Sequence, residues 1–210
     1  MAVVDIDITI TRETIMRSFL PTMLLATIFT VPAAAQEITR VSTIHQAGVT
    51  TTLFSVTPRT QVAAADYAKL TADALNYRIA ASTLAARKGQ RDDVKAFARS
   101  DAAAAKREQG ALFAALKNKD RTIARPSSSL SSQRSASLDL LKKAPGASFD
   151  NLYLTQMADA APAMWALQKG YADDGADPVL RQVATISVPS TERGFRSAKG
   201  LMPASLATAR

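Results

Sequence analysis

Six residues separated by alternating steps of three and four, Tyr67, Leu70, Ala74, Tyr77, Ala81 and Leu84, constrain this chain more than any other feature. That spacing gathers side chains onto one face of an α-helix but scatters them over both faces of a strand, so it predicts a helix. Arg87 and Lys88 suit the negative end of this helix, and Gly89 is expected to stop it in the left-handed conformation. Asp92 and Asp93 mark the start of a second helix with an apolar face of Val94, Phe97, Ala98, Leu112, Ala115 and Leu116, running to about Lys119. After a serine-rich connection around Pro126, Leu130, Arg134, Leu138 and Leu141 predict a shorter helix stopped by Pro145-Gly146. Tyr153, Met157, Ala160, Met164, Leu167 and Tyr171 predict a fourth, capped by Ser148, with Asp150 in its first turn and a kink at Pro162. Asp177-Pro178 opens a further segment through Ile186, and Pro189 is expected to restart a last helix through Phe195 and Ala198. Strand alternation is nearly absent. The expected fold is all-α: an antiparallel four-helix-type bundle over residues 61–202 with short C-terminal helices, an alanine-rich core and a tail at 203–210.

Residues 16–35, MRSFLPTMLLATIFTVPAAA, bear on location rather than fold. Arg17 supplies a positive start, Phe19 to Val31 an apolar run too short to span a bilayer, and Ala33-Ala34-Ala35 the small residues of a cleavage site before Gln36. The stretch reads as a signal peptide, residues 1–15 as an upstream extension, and the mature protein as periplasmic or secreted. Residues 36–60, rich in Thr and Val without a clean period, read as an irregular arm ahead of the bundle.

The chain has no cysteine and one histidine. Disulfides, thiolate metal sites and cysteine nucleophiles are thereby excluded, and stability must come from packing. His45 lies in the arm, away from the bundle, so neither a histidine-rich metal site nor a Ser-His-Asp arrangement can be drawn within one chain. Ser127 to Ser132 lie in a connection with no base nearby, which argues against a serine hydrolase. The chain reads as non-enzymatic, with no cofactor.

Charge is concentrated. The net charge is +8, and the stretch from Arg87 to Lys143 carries 14 basic against 6 acidic residues, whereas residues 144–210 carry 6 of each. Arg91, Lys95 and Arg99 advance by four and form a ridge along the second helix that extends toward Lys106 and Arg107. Such a ridge fits an anionic envelope component or an acidic protein, or is simply a solvated face. Nucleic acid is a poor fit, because aromatic interleaving is lacking. Asp101 and Glu108, seven apart, share a helix face but rise about 10.5 Å relative to one another, so a metal held by both would need further carboxylates. Asp159 on the fourth helix is the candidate, and ion pairs to neighbouring basic residues are the simpler use of all three.

Two strings, LAARKGQRDDVKAFAR (84–99) and FDNLYLTQM (149–157), together with the Val188-Pro189 step, resemble an exported bacterial family called domain of unknown function 4142, labelled predicted outer membrane protein. The resemblance covers residues 61–202 and implies a ferritin-like helical bundle. The family pattern places a glutamate near position 78, an aspartate-histidine pair at 104 and 105, and histidines near 161 and 194. This chain has Arg78, Ala104, Ala105, Ala161 and Gly194 there. If the family's inward polar residues bind metal, this chain keeps the scaffold and has lost the site. The reading is therefore an exported interaction or envelope-stress protein, the alternative a ferritin-like carboxylate metal-binding or redox protein using Asp101, Glu108 and Asp159.

Overall fold

Five helices carry the apolar stripes that the spacing predicts. The structure is a computed structural model that describes residues 42–46, 49–117 and 123–204; the signal segment and the C-terminal tail from 205 lie outside the described residues. The elements are β1 (Ser42–Gln46), β2 (Val49–Phe54), α1 (Ala64–Lys88), α2 (Asp92–Ala115), α3 (Ser132–Lys143), α4 (Gly146–Asp174) and α5 (Pro178–Leu201). The protein is an all-α bundle preceded by a β-hairpin.

Side-chain pairs across the seams give each helix its direction. Asn76 meets Gln109, Arg78 meets Glu108 and Ser82 meets Asp101, so α1 and α2 run antiparallel. Tyr77 with Gln156 and Ser82 with Tyr153 set α4 antiparallel to α1, and Trp165 with Glu192 and Gln168 with Thr191 set α5 antiparallel to α4. α3 is short and lies on the outside of α1, where Asp73 accepts from Ser131 N at 2.8 Å and pairs with Arg134 at 3.0 Å.

The core holds two large apolar clusters and a smaller third of Phe54, Ala161 and Trp165. One of the large clusters holds Ala81, Ala85, Val94, Ala98, Phe149, Tyr153 and Leu154; the other holds Tyr67, Ala72, Leu112, Leu167, Tyr171, Leu180 and Ala184. The many alanines let helix axes approach closely, and the aromatic rings fill the remaining width. Tyr67 and Tyr171 stack at 4.0 Å between ring centroids.

Several local expectations are corrected. Gly89 is not left-handed: its φ is −54°. It is small because a Cβ there would come within 2.8 Å of Ala85 O and 3.2 Å of the Asp150 carboxylate. Asp150, in turn, does not serve its own helix. It is buried, and its carboxylate accepts from Gln90 N at 3.0 and 3.1 Å and from Arg91 N at 2.9 Å, capping α2 from across the bundle. α2 has no side-chain cap of its own, so this carboxylate satisfies amides that its N-terminus would otherwise leave orphaned. Ser148 is not the cap of α4, which begins two residues earlier at Gly146. The short C-terminal helices are a single helix: α5 continues through Pro189. Pro189 and Thr185, whose carbonyl loses its partner there, are both exposed, so water replaces the missing bond while the buried face stays packed on α4. The Asp177 cap is as expected, accepting from Val179 N and Leu180 N at 3.0 Å each.

The arm is ordered by contacts that local pattern does not show. β1 and β2 pair antiparallel, with His45 opposite Thr50. Phe54 is buried against Trp165 and Phe195, with ring centroids 5.4 and 4.7 Å apart. Arg59 N then donates to Ala166 O at 2.8 Å, and Gly170 leaves room for the Arg59 backbone, which a Cβ would meet at 2.0 Å.

Removing the Asp150 cap tests this account of the α1–α2 corner. Asp150→Ala is expected to destabilise the fold by about 1–3 kcal/mol, the range for buried donors left unpaired, measured by urea unfolding. A loss below the scatter of surface substitutions, about 0.5 kcal/mol, would contradict it.

Candidate functional site

Between the two large apolar clusters lies a polar layer, and Arg78 is its centre. Arg78 stands on α1 one turn before Ser82; Asp101 and Glu108 stand two turns apart on α2. Arg78 Nε and Nη2 reach Asp101 Oδ1 at 2.8 and 2.6 Å, and Nη1 reaches Glu108 Oε1 at 3.0 Å. Asp101 Oδ2 accepts from Ser82 Oγ at 2.8 Å, and Ser82 Oγ accepts from Tyr153 OH at 2.9 Å. Glu108 Oε1 also accepts from Ser190 Oγ of α5 at 2.5 Å. Four helices thus meet through one hydrogen-bonded network. Burial alone would lower the Arg78 pKa, but the adjacent Asp101 and Glu108 carboxylates outweigh it and hold the guanidinium well above its ordinary value.

Buried phenols border this layer. Burial pushes the Tyr77 hydroxyl up to about 12, against the opposing charge of Arg134. Burial also raises Tyr153, with the Asp101 charge adding to it, and raises Tyr67.

The carboxylate trio considered for a metal does not assemble. Asp101 and Glu108 are joined, but by Arg78, and Asp159 is exposed on α4. Among the described residues no three His, Cys, Asp or Glu side chains are grouped to hold a metal ion. Both Asp101 oxygens and Glu108 Oε1 are engaged, so a metal would have to displace a guanidinium held by two anions; the donor set does not fit one. Positions 78, 104, 105, 161 and 194 are small or cationic. Arg78 and Gly194 flank Asp101, a Cβ on Gly194 lying 3.6 Å from Oδ1, while Ala105 and Ala161 are buried. Arg78, Asp101, Ala161 and Gly194 line a small interior cavity of about 50 Å³.

The basic ridge is only partly available. Arg91 pairs with Asp93 at 2.6 Å and donates to Leu201 O, and Lys95 pairs with Asp92 at 3.0 Å. Arg99, Lys106 and Arg107 are exposed, and no ion pair joins them to other described residues. Ser82, Ser190 and the exposed Arg193 of α5 were not singled out by the sequence, and Tyr153 was read only as part of the apolar stripe. The signal that could have found Ser82 is its four-residue spacing from Arg78, which places two polar groups beside an apolar stripe.

Two outcomes are expected. Arg78→Met, which leaves two buried carboxylates facing one another, should lower stability by about 3–5 kcal/mol, and adding Asp101→Asn with Glu108→Gln should restore at least half of it. Equal stability of Arg78→Met and wild type in urea would refute the network's role. For the phenols the folded pKa exceeds the unfolded one, so their contribution is complete below about pH 10 and is lost as pH rises toward the folded values, at about 1.4 kcal/mol per unit and group. Tyrosinate absorbance should show Tyr67, Tyr77 and Tyr153 ionising only with alkaline unfolding; their titration near pH 10 in folded protein would contradict the burial.

No helix of the described residues is long and apolar enough to cross a membrane. No curated protein and no solved structure matches the chain. A family model does match, over residues 50–201, and that span takes in β2 from its second residue, all five helices and the whole Arg78 network. The chain belongs to the family described as Domain of unknown function (DUF4142).

Proposed function

We propose that this protein is a non-enzymatic component of the cell envelope that docks on anionic surfaces through the exposed face of α2. The observation that carries this reading is the contrast between two sets of charges. Inside, Arg78 neutralises carboxylates that could have done chemistry; outside, Arg99, Lys106 and Arg107 stand without ion pairs among the described residues. Cations left unpaired on one helix face attract a negatively charged surface, at about 1 kcal/mol per residue near an anionic bilayer. The export pattern at residues 16–35 supports an envelope location for that surface. Catalysis finds little support in the Arg78 layer, whose acids are tied in ion pairs rather than poised beside a nucleophile.

Sedimentation with vesicles tests the reading. Wild-type protein is expected to bind phosphatidylglycerol vesicles and not phosphatidylcholine vesicles, with binding falling as salt rises. Arg99→Glu with Lys106→Glu should weaken it at least tenfold, given two charges reversed. Indifference of the wild type to phosphatidylglycerol at low salt would end the proposal.

A further inference from the structure

Where α2 and α5 run side by side they leave a groove of about 800 Å³, within the range of small-molecule sites. Its cause is local. α2 turns Ala104, Ala111 and Ala115 toward α5, and these side chains are too short to fill the space between the helices. α5 contributes Val179, Val183 and Ile186. Ile186 is 66% and Val179 43% exposed; of the three large apolar side chains exposed among the described residues, these two line the groove.

The groove is graded along its length. Ser190 on Glu108 and Gly194 beside Asp101 fix α5 antiparallel to α2. In that register Ala111 and Ala115 lie level with Ile186, Val183 and Val179, whereas Ser100, Arg107, Arg193 and Ser197 lie toward the other end. The polar end is lined by three guanidiniums, Arg78, Arg107 and Arg193, against two carboxylates, Asp101 and Glu108. Arg78 holds both carboxylates, so Arg107 and Arg193 are the uncompensated charges, exposed and without ion pairs among the described residues. Glu108, on the same lining, keeps Oε2 buried without a hydrogen-bond partner.

We propose that the groove binds a single-chain anionic amphiphile: its carboxylate or phosphate head between Arg107 and Arg193, its acyl chain over Ala111, Ala115, Val183 and Ile186. Guanidinium forks match the geometry of both head groups, and the chain removes from water the apolar surface that Ile186 and Val179 otherwise expose. Glu108 Oε2 offers an acceptor for a head that also carries a hydroxyl, so a monoacyl glycerol phosphate uses one more group of the site than a free fatty acid. Unlike docking on a membrane surface, this site takes up one molecule at a time; it shares Arg107 with the α2 ridge but is lined by neither Arg99 nor Lys106.

The test uses the whole purified protein and a fluorescent long-chain fatty acid, displaced by unlabelled fatty acid, by monoacyl glycerol phosphate or by the fatty alcohol of equal length. Saturable binding is expected, with both anions displacing the probe at least tenfold better than the alcohol. Ala111→Trp, which fills the groove from an exposed position, should weaken probe binding at least tenfold. Arg193→Ala should weaken displacement by the two anions and leave the alcohol unchanged. If Ala111→Trp fails to melt cooperatively, Ile186→Asp at the exposed apolar end provides the same readout. Absence of saturable binding, or equal affinity in wild type and the groove variants, overturns the proposal. The ridge variant Arg99→Glu with Lys106→Glu should lose vesicle binding and keep groove affinity; wild-type protein that binds the probe but ignores phosphatidylglycerol vesicles counts against the surface reading alone, and wild-type protein that binds the vesicles without saturable probe binding counts against the groove alone.

Discussion

One guanidinium shared by two carboxylates fixes how the long helices of this protein face one another. Arg78 of α1 holds Asp101 and Glu108 of α2; Asp101 reaches α4 through Ser82 and Tyr153; Glu108 takes Ser190 of α5. An ion pair of this kind adds little net stability over an apolar packing of the same volume, but it penalises every arrangement that leaves one of its charges unpaired. The apolar clusters on either side are built from alanine, leucine and tyrosine, residues that tolerate sliding by a turn. A slipped register would keep much of their burial and break the polar layer. The network thus acts as the register mark of the bundle.

The corner between α1 and α2 solves a second problem, the unpaired amides at a helix start. The N-cap residue Arg91 makes no side-chain cap and Asp93 reaches only Val94 N; a carboxylate almost sixty residues further along takes the amides of Gln90 and Arg91. This joins the two strings on which the family resemblance rests. Gly89, Gln90 and Arg91 belong to the first, Phe149 and Asp150 to the second, and they meet around one carboxylate, with Lys88 lying 5.2 Å from the centre of the Phe149 ring. Together the two strings form one structural device, a corner held by a single carboxylate.

What the sequence made legible follows from which interactions are local. The α1 stripe from Tyr67 to Leu84, the Asp177-Pro178 start of α5 and the same-face placement of Asp101 and Glu108 depend on residues within two turns of each other, and all are present. The function of Gly89 and the allegiance of Asp150 depend on another helix and could not be read from spacing. Pro189 misleads for a similar reason: a proline ends an isolated helix, but α5 is held by its buried face, including Val183, Ser187 and Thr191, and only exposed backbone loses a bond. The hairpin escaped because Thr50, Thr51 and Thr52 follow one another in the sequence, which leaves no alternation of apolar and polar residues to detect. For the candidate site, the α2 carboxylates were visible and their partner was not, since Arg78 lies on a different helix and registered only as a departure from the family pattern.

The small residues of the bundle centre also account for the empty space. Alanine or glycine at 104, 105, 161 and 194 supplies little side-chain volume there. Close-packed interiors do not collapse fully around such positions, and each unfilled void carries a free-energy cost. The interior cavity and the α2–α5 groove both border on Arg78, Phe97, Asp101 and Gly194, which places them on the two sides of that depleted region. The α2–α5 groove, with apolar walls at one end and uncompensated arginines at the other, is a void whose cost a ligand can relieve by filling it.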